Sequence, residues 1–529
     1  MRIAATRDAV RLGMSLMAGL PSLLREPVTV AAARAVQAAA LCARNDQFLT
    51  MVTEAGFRRP DSALGRLLHH AGVESGDVRG LLAREGLEAT LRALATSGVY
   101  VLVDEFKGRR ELVRGSLRLQ VGPGSFANPR SRYGIVASSS GSRSDAPPFI
   151  VDLSFVRAAA GAMHTHLDAL GIERLVNADW EAVGAGARYR LLKMGALDAP
   201  LDAWFSDVDP ADPDLAPSFR YGERILRWAA ACCGRKLPRA TVVPSDDARI
   251  VARWMVRQLE RGNTPHVLSV SSNIAALGRA AAADGLELAG AYATMGGEPI
   301  TAVRRDIVAA SGLRPLPRYG SIETGAVGYA CVRPTHSDDV HVVAGMHAVI
   351  RADALGAAIG IPENAILHTG LHAAAPFAAV NLSMGDAAEV TRSTCGCPVE
   401  RIGWTRCLRD IRSFEKLTVA GITLHAGDLI RVLEEALPAR FGGDALDYQL
   451  IEGEDASGLP TLALRIDPRL GEIDPKVALD ALLAVLASGP PVHAVMAKML
   501  RQSVALSLER GPPLRRRGKA LHVHRRDPG

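Results

Sequence analysis

The chain reads as an α/β protein with a large layered α/β core, a helical N-terminal extension and a small α+β domain at the C-terminus. Three observations predict this. From Tyr292 to Gly328 the order is apolar run, Gly turn, amphipathic segment, Gly turn, which is how an α/β sheet presents backbone at its strand ends. From 245 to 270 a helical period is followed by the apolar run His266–Val270, a βαβ rhythm. The two flanks differ from this middle: Ala- and Leu-rich helical periodicity before residue 99, and short alternating strand and helix signals after residue 412. The expected domains are therefore 1–98, 99–411 and 412–529.

At 529 residues the chain is long enough for three domains or for one large and two small ones. Its 48% hydrophobic and 22% charged residues suffice for a buried core. A net charge of +6 over this length is weak support for nucleic-acid binding. No apolar run reaches the ~18–20 residues that span a bilayer, and the N-terminus lacks the hydrophobic core and cleavage site of a signal peptide. Seven cysteines, an odd number, argue against a disulfide framework, and a cytoplasmic protein is expected.

In chain order, Val30–Ala43, Ser62–Ala71 and Leu87–Ala95 carry helical periodicity, and Ser75 opens a further short helix. Val99–Val103 is the first β signal, leading into DEFKG at 104–108. Tyr133–Ala137 reads as a strand feeding a loop of Ser138, Ser139, Ser140, Gly141, Ser142 and Arg143. Loop amides and hydroxyls of this kind cradle phosphate, and a flexible linker is the plain alternative. Residues 152–170 read as a helix with His164 and His166, both expected to be structural, with substrate-pocket lining the alternative.

YATMGGEPI ends a strand at Gly296, Gly297 and Glu298. YGSIE then places an aromatic, a hydroxyl and a carboxylate in one turn: Tyr319, Gly320, Ser321 and Glu323. Asp386, after an apolar run and Gly385, suits a diol, because one carboxylate accepts from two hydroxyls. Cys331 and His336 (C-x4-H) with Cys395 and Cys397 (C-x-C) form two short chelating pairs, the pattern of a closed Cys3His structural zinc site. Unrelated buried cysteines or a redox-active C-x-C turn are the alternatives. The tail holds Arg515, Arg516, Arg517 and Lys519, a basic run that is ordinarily solvated or binds polyanions.

Taken together, these motifs resemble the adenylate-forming superfamily of acyl-CoA synthetases and adenylation domains, in particular its phenylacetate–CoA ligase-like branch. The resemblance spans roughly Tyr100 to Arg526, with six motifs in the family order. It implies a core of the adenylate-forming type with a mobile C-terminal domain. It also implies ATP bound by the 139–143 loop, by the Gly296–Glu298 turn beside adenine, and by Tyr319, Gly320 and Ser321. Glu323 would hold Mg²⁺, Asp386 and Arg412 the ribose, and Lys519 would supply the adenylation cation. Two motifs depart from the pattern: Ile322 stands where the family has Thr, and Ser144 and Asp145 where its phosphate loop has Gly and Lys. Phe414 also stands at the usual acidic hinge position.

The implied reaction joins a small carboxylic acid to the α-phosphate of ATP, releases pyrophosphate, and passes the acyl group to a thiol, coenzyme A foremost, or to an amine. Mg²⁺ and a structural Zn²⁺ are the expected ions. Neither a membrane nor a nucleic acid is expected as partner, and a homodimer is allowed. The alternatives are an acceptor other than coenzyme A, a non-carboxylate substrate such as that of a diazo-forming enzyme, and a zinc-stabilised scaffold that has lost turnover.

Overall fold

The computed structural model describes residues 2–137, 149–213, 215, 217–244, 247–414, 416–419, 422–425, 430–443, 447–455, 459–488, 491–512, 514–516, 519–520 and 523–525. Its centre is a mixed sheet of twelve strands. In chain order these are β1 (Leu175–Trp180), β2 (Leu201–Ser206), β3 (Ala240–Val242), β4 (Thr264–Val270), β5 (Tyr292–Gly296), β6 (Arg314–Ser321), β7 (Gly325–Ala330), β8 (Val340–Val342), β9 (His347–Arg351), β10 (Ala365–Gly370), β11 (Leu382–Arg392) and β12 (Arg406–Ser413).

Strands β1 to β6 run parallel in the spatial order 3-2-1-4-5-6. From β6 onward each neighbour is antiparallel, through β7, β8, β12, β11 and β10 to β9. In a parallel half with this order the chain reverses its winding between β1 and β4. In open sheets of this order, ligands are taken at the carboxyl ends of the strands beside that switch point.

The two faces of the parallel half differ in chemistry. Val176, Ala178, Trp180, Val267, Ala293 and Met295 pack with Ile274 and Leu277 in one apolar layer. The alternate positions carry Asn177, Asp179, His266, Thr294 and Arg318, all buried. Helix Leu153–Ala169 and helix Ala185–Gly195 carry further buried polar groups, among them His166 and Lys193.

The N-terminal helices, from Arg2–Leu24 to Leu87–Thr96, form where the helical period predicts them. Thr29 and Ser62 cap two of them, accepting from the amides of Ala32 and Gly65. Their apolar side chains, Leu20, Leu24, Phe48, Leu64 and Leu91 among them, belong to one core cluster with Phe155 and Val156 of the central layer. This extension is thus built into the core.

Val99–Val103 departs from expectation. Only Val101 forms a bridge, to Leu382, and Val103–Phe106 turns into a short helix. The cause is local: Glu105 accepts the amide of Leu102 at 2.9 Å and pairs with Arg114 at 2.8 Å, so a first helical turn forms in place of a ladder.

At the C-terminus, strands Tyr448–Glu454 and Pro460–Ile466 form the centre of a four-stranded sheet with Ala505–Arg510 and Val523–Arg525 at its edges. Helices Pro475–Ala487 and Pro491–Ser503 accompany it. Glu454 meets the core directly, accepting from Thr301 Oγ1 at 2.9 Å and pairing with Arg304 at 3.2 Å. Lys498 pairs with Asp212.

Candidate active site and metal centre

The turn from Tyr319 to Glu323 is shaped by a bulge. Pairing between β6 and β7 shifts register between Tyr319 and Gly320. Gly320 has φ 152°, and a Cβ there would lie 2.0 Å from the carbonyl oxygen of Gly325, so this position admits no side chain. The Tyr319 hydroxyl donates to Asp386 Oδ2 at 2.9 Å. Two motifs separated by 67 residues therefore meet at one hydrogen bond. Burial, and then the Asp386 charge, hold the Tyr319 phenol well above its usual range, so it remains a donor.

Glu323 is buried and receives the ammonium of Lys107 at 2.6 Å. Burial alone would raise its pKa. The Lys107 charge and hydrogen bond, with donation from its own backbone and from Ser321, outweigh that and bring it to about 2. Glu323 is consequently a carboxylate at any physiological pH. One such carboxylate together with nucleotide phosphate oxygens is the ordinary protein contribution to a Mg²⁺ site, so the residues present fit that ion. The sequence reading missed Lys107. Its only signal there was the DEFKG string, and its partner is 216 residues away.

Asp386 lies within β11, just after Gly385 at φ 82°, and not in a turn past a strand end as the sequence suggested. It stands opposite Ser413, while Ala387 stands opposite Arg412. Successive positions of a pleat point to opposite faces, so Arg412 and Asp386 do not converge. Arg412 instead donates to the buried Asp338 at 3.0 Å. Phe414, the residue after β12, donates its amide to the Gly385 carbonyl at 2.9 Å.

The Gly296-Gly297-Glu298 segment ends β5. Gly296 is required by crowding, since a Cβ would lie 2.4 Å from the Arg318 carbonyl oxygen, and Gly297 turns at φ 76°. Glu298 faces inward: its carboxylate accepts from Ser272 N at 2.7 Å and from Ser272 Oγ at 3.1 Å, at the start of helix Ser271–Ala283, and pairs with Arg304 at 3.1 Å. The anion expected to face a nucleotide thus satisfies a helix N-terminus. Ser139, Ser140, Gly141, Ser142 and Arg143 lie outside the described residues. Lys519 lies on a two-residue strand whose register partner is Arg516.

The cysteines converge, with one change of ligand. The donor atoms of Cys331, His341, Cys395 and Cys397 lie within 4.8 Å of one another. Cys331 Sγ is 3.7 Å from Cys395 Sγ, and His341 Nε2 is 3.3 Å from Cys397 Sγ and 3.6 Å from Cys395 Sγ. A tetrahedral zinc with Zn–S of about 2.3 Å and Zn–N of about 2.05 Å would space its ligands about 3.8 Å (S···S) and about 3.6 Å (S···N) apart. The residues present therefore fit that ion. His341 Nδ1 faces the Trp404 carbonyl at 2.7 Å, which leaves Nε2 for the metal. His336, chosen from its spacing, is outside the group: its Nε2 lies 3.6 Å from Asp410. The reason is strand geometry. His341 sits on β8, in register with Cys407 of β12 and facing the thiols, whereas His336 lies in the loop before β8.

No family model and no curated protein sequence matches the chain. Similar solved structures include acyl-CoA ligases or synthetases and an amide bond synthetase. One is a 2-hydroxyisobutyryl-CoA ligase in the post-adenylation state with R3-HIB-AMP, at 14% identity and TM-score 0.42 over 96% of this chain and 92% of that one. Another is the amide bond synthetase McbA from Marinactinospora thermotolerans, at 13% identity and TM-score 0.40 over 96% and 97%. A third is an AMP-forming acyl-CoA synthetase/AMP-acid ligase II-like protein from Dyadobacter fermentans, at 13% identity and TM-score 0.31 over 72% and 85%. Overlaps below a TM-score of 0.5 stand beside the motifs without adding weight to them.

Proposed function

We propose that this protein activates a small carboxylic acid with ATP, forming an acyl-adenylate and pyrophosphate, and then passes the acyl group to a thiol, coenzyme A foremost, or to an amine. The observation that carries this reading is the meeting of two distant motifs, the Tyr319 hydroxyl on Asp386, with the ionised Glu323 in the same YGSIE segment as Tyr319. Asp386 accepts from hydroxyl donors, as a ribose-binding carboxylate must, and Tyr319 offers a ring to the base. Glu323 would hold Mg²⁺, which supplies charge neutralisation at the phosphates. A carboxylate substrate is already a nucleophile, so the site needs no general base. Lys519 is assigned the cation that meets negative charge gathering at the α-phosphate.

In the test, the protein is mixed with ATP, Mg²⁺ and a panel of carboxylic acids, and pyrophosphate release is followed. Lys519→Ala should slow acyl-adenylate formation by roughly 10²–10³-fold, the scale of one preorganised charge donor. Transfer from a supplied acyl-adenylate should stay near the wild-type rate. Equal loss in both half-reactions would make the tail structural, and no pyrophosphate with any acid would favour the scaffold reading.

A further inference from the structure

Helix Pro217–Cys232 connects β2 to β3, the edge strand of the large sheet, and packs beside helix Arg2–Leu24. Its inner face is ordinary: Leu226, Ala229 and Ala230 belong to the core cluster. Its outer face is not. Tyr221, Ile225 and Trp228 recur at i, i+4 and i+7, one stripe along the helix, and are 50%, 54% and 68% exposed. Trp228 differs from every other tryptophan of the chain: Trp180, Trp204 and Trp404 are 1% exposed and Trp254 is 5% exposed. Single exposed apolar residues are commonplace, but three large ones in line on one helix mark a contact surface.

The same face is basic. Arg224, within the stripe, is exposed, and its guanidinium lies 6.0 Å from the centre of the Tyr221 ring. From 219 to 242 the chain carries Arg220, Arg224, Arg227, Arg235, Lys236 and Arg239 against a single acid, Glu223. Glu223 is already paired with Arg227 at 3.2 Å. Lys236 and Arg239, on the connection from the helix to β3, are exposed as well. Arg227 Nε donates to the Leu237 carbonyl at 3.3 Å, which holds that connection against the helix.

This charge selects the occupant. A second copy of the face would set cations against cations. The complementary partner is anionic, and it must take an indole, a phenol and an aliphatic chain beside its negative charges. A layer of anionic lipid does so: Trp and Tyr settle where headgroups meet acyl chains, and Arg and Lys meet the phosphates. An acidic protein would need ~800 Å² from this side, whereas the three side chains offer roughly 300–400 Å² of exposed surface.

We propose that helix Pro217–Cys232 seats the protein on an anionic lipid surface, with Ile225 and Trp228 below the headgroups and Arg224, Lys236 and Arg239 on their phosphates. This is attachment to a surface: no described helix is long and apolar enough to cross a membrane. The inference is independent of the adenylation reading.

In the test, the full chain is mixed with vesicles of phosphatidylcholine, alone or in equal parts with phosphatidylglycerol, and followed by co-sedimentation and tryptophan emission. Trp228 is the one exposed tryptophan, so a change in emission reports this face. The wild type should bind the mixed vesicles at least about tenfold more tightly than the neutral ones and lose that preference in high salt. Its emission should shift to the blue and be quenched by lipid brominated on the acyl chains. Arg224→Glu should weaken binding by roughly tenfold, the scale of reversing one surface charge. Ile225→Ser with Trp228→Ser should weaken it by about tenfold or more and remove the blue shift. Both variants alter exposed side chains and should keep the wild-type melting temperature.

No binding to the mixed vesicles, binding untouched by both variants, or binding without quenching by brominated lipid would overturn the proposal. A dimer in lipid-free solution that Trp228→Ser dissolves would make the stripe a contact between copies instead. An equal blue shift with polyglutamate would make it a docking face for an acidic protein, and either result would likewise overturn the lipid assignment.

Discussion

At the scale of single residues, the pair Lys107–Glu323 separates charge from shape. Both side chains are buried, at 2% and 8% exposure. Removing one partner of such a pair strands the other charge. Lys107→Met should therefore cost about 3–5 kcal/mol in chemical denaturation, while Lys107→Met with Glu323→Gln should recover much of it. Additive losses in the double variant would mean that the two do not act as a pair. Glu323→Gln alone strands the Lys107 charge and should carry a similar cost of about 3–5 kcal/mol; in the fraction that folds it should slow adenylation by on the order of 10²-fold or more through loosened Mg²⁺, and unchanged turnover at limiting Mg²⁺ would remove the metal role. The zinc ligands are as specific. About one equivalent of zinc per chain is expected in protein purified without chelator. His341→Ala or Cys395→Ser should lower zinc content and melting temperature, whereas His336→Ala should leave both unchanged. Zinc loss in the His336 variant would restore the spacing-based ligand set.

At the scale of an element, the bulge between β6 and β7 aims Tyr319 at Asp386 and sets Glu323 beside Lys107. Gly320 makes that bulge feasible, having a positive φ and a backbone oxygen where a Cβ would go. Gly320→Ala should cost roughly 2–4 kcal/mol, the sum of strained φ and backbone overlap, and should lower adenylation through displacement of Tyr319. A variant with wild-type stability would show that the bulge relaxes freely. The helix Ser271–Ala283 gives a second case: Glu298 serves its N-terminus, so this GGEP-like turn acts first as a structural clasp between β5 and that helix.

At the scale of the whole molecule, several histidines, His166 and His266 buried and His368 and His372 half-buried, bear on acid stability. Burial is the first cause lowering His166, His368 and His372 to about 4 and His266 to about 3. Their unfolded values lie near 6.5. Between those limits the unfolded chain binds more protons than the folded one. The contribution of these groups to stability is therefore full above about pH 6.5 and is lost as pH falls toward about 4. Denaturant midpoints should drop progressively across that window, and ring signals of these histidines should show no titration above pH 5. Protonation near 6.5 with the fold intact would contradict their neutral burial.

Much of this was legible in one dimension because it is local. Helical periods placed the N-terminal helices, apolar runs placed β4 and β5, and the order of short motifs led to Glu323 and Asp386, whereas Tyr319–Ser321, read as a turn, is the end of strand β6. Spacing also found three of the four metal-site residues, since C-x-C is a local chelate. What the sequence could not decide is pairing across distance. His341 replaces His336 because a strand register, not a count of residues, turns its ring toward the thiols. Val99–Val103 is not a strand, because Glu105 and Arg114 draw the following backbone into a helical turn. Arg412 parts from Asp386 through the alternation of a pleat, and Lys107 reaches Glu323 across 216 residues. The buried polar group of Asp179, Lys193 and Arg318 exists only once two strands and a helix are stacked. Each of those residues alone looks like an ordinary surface charge, and only the packed sheet removes the water that would otherwise satisfy it.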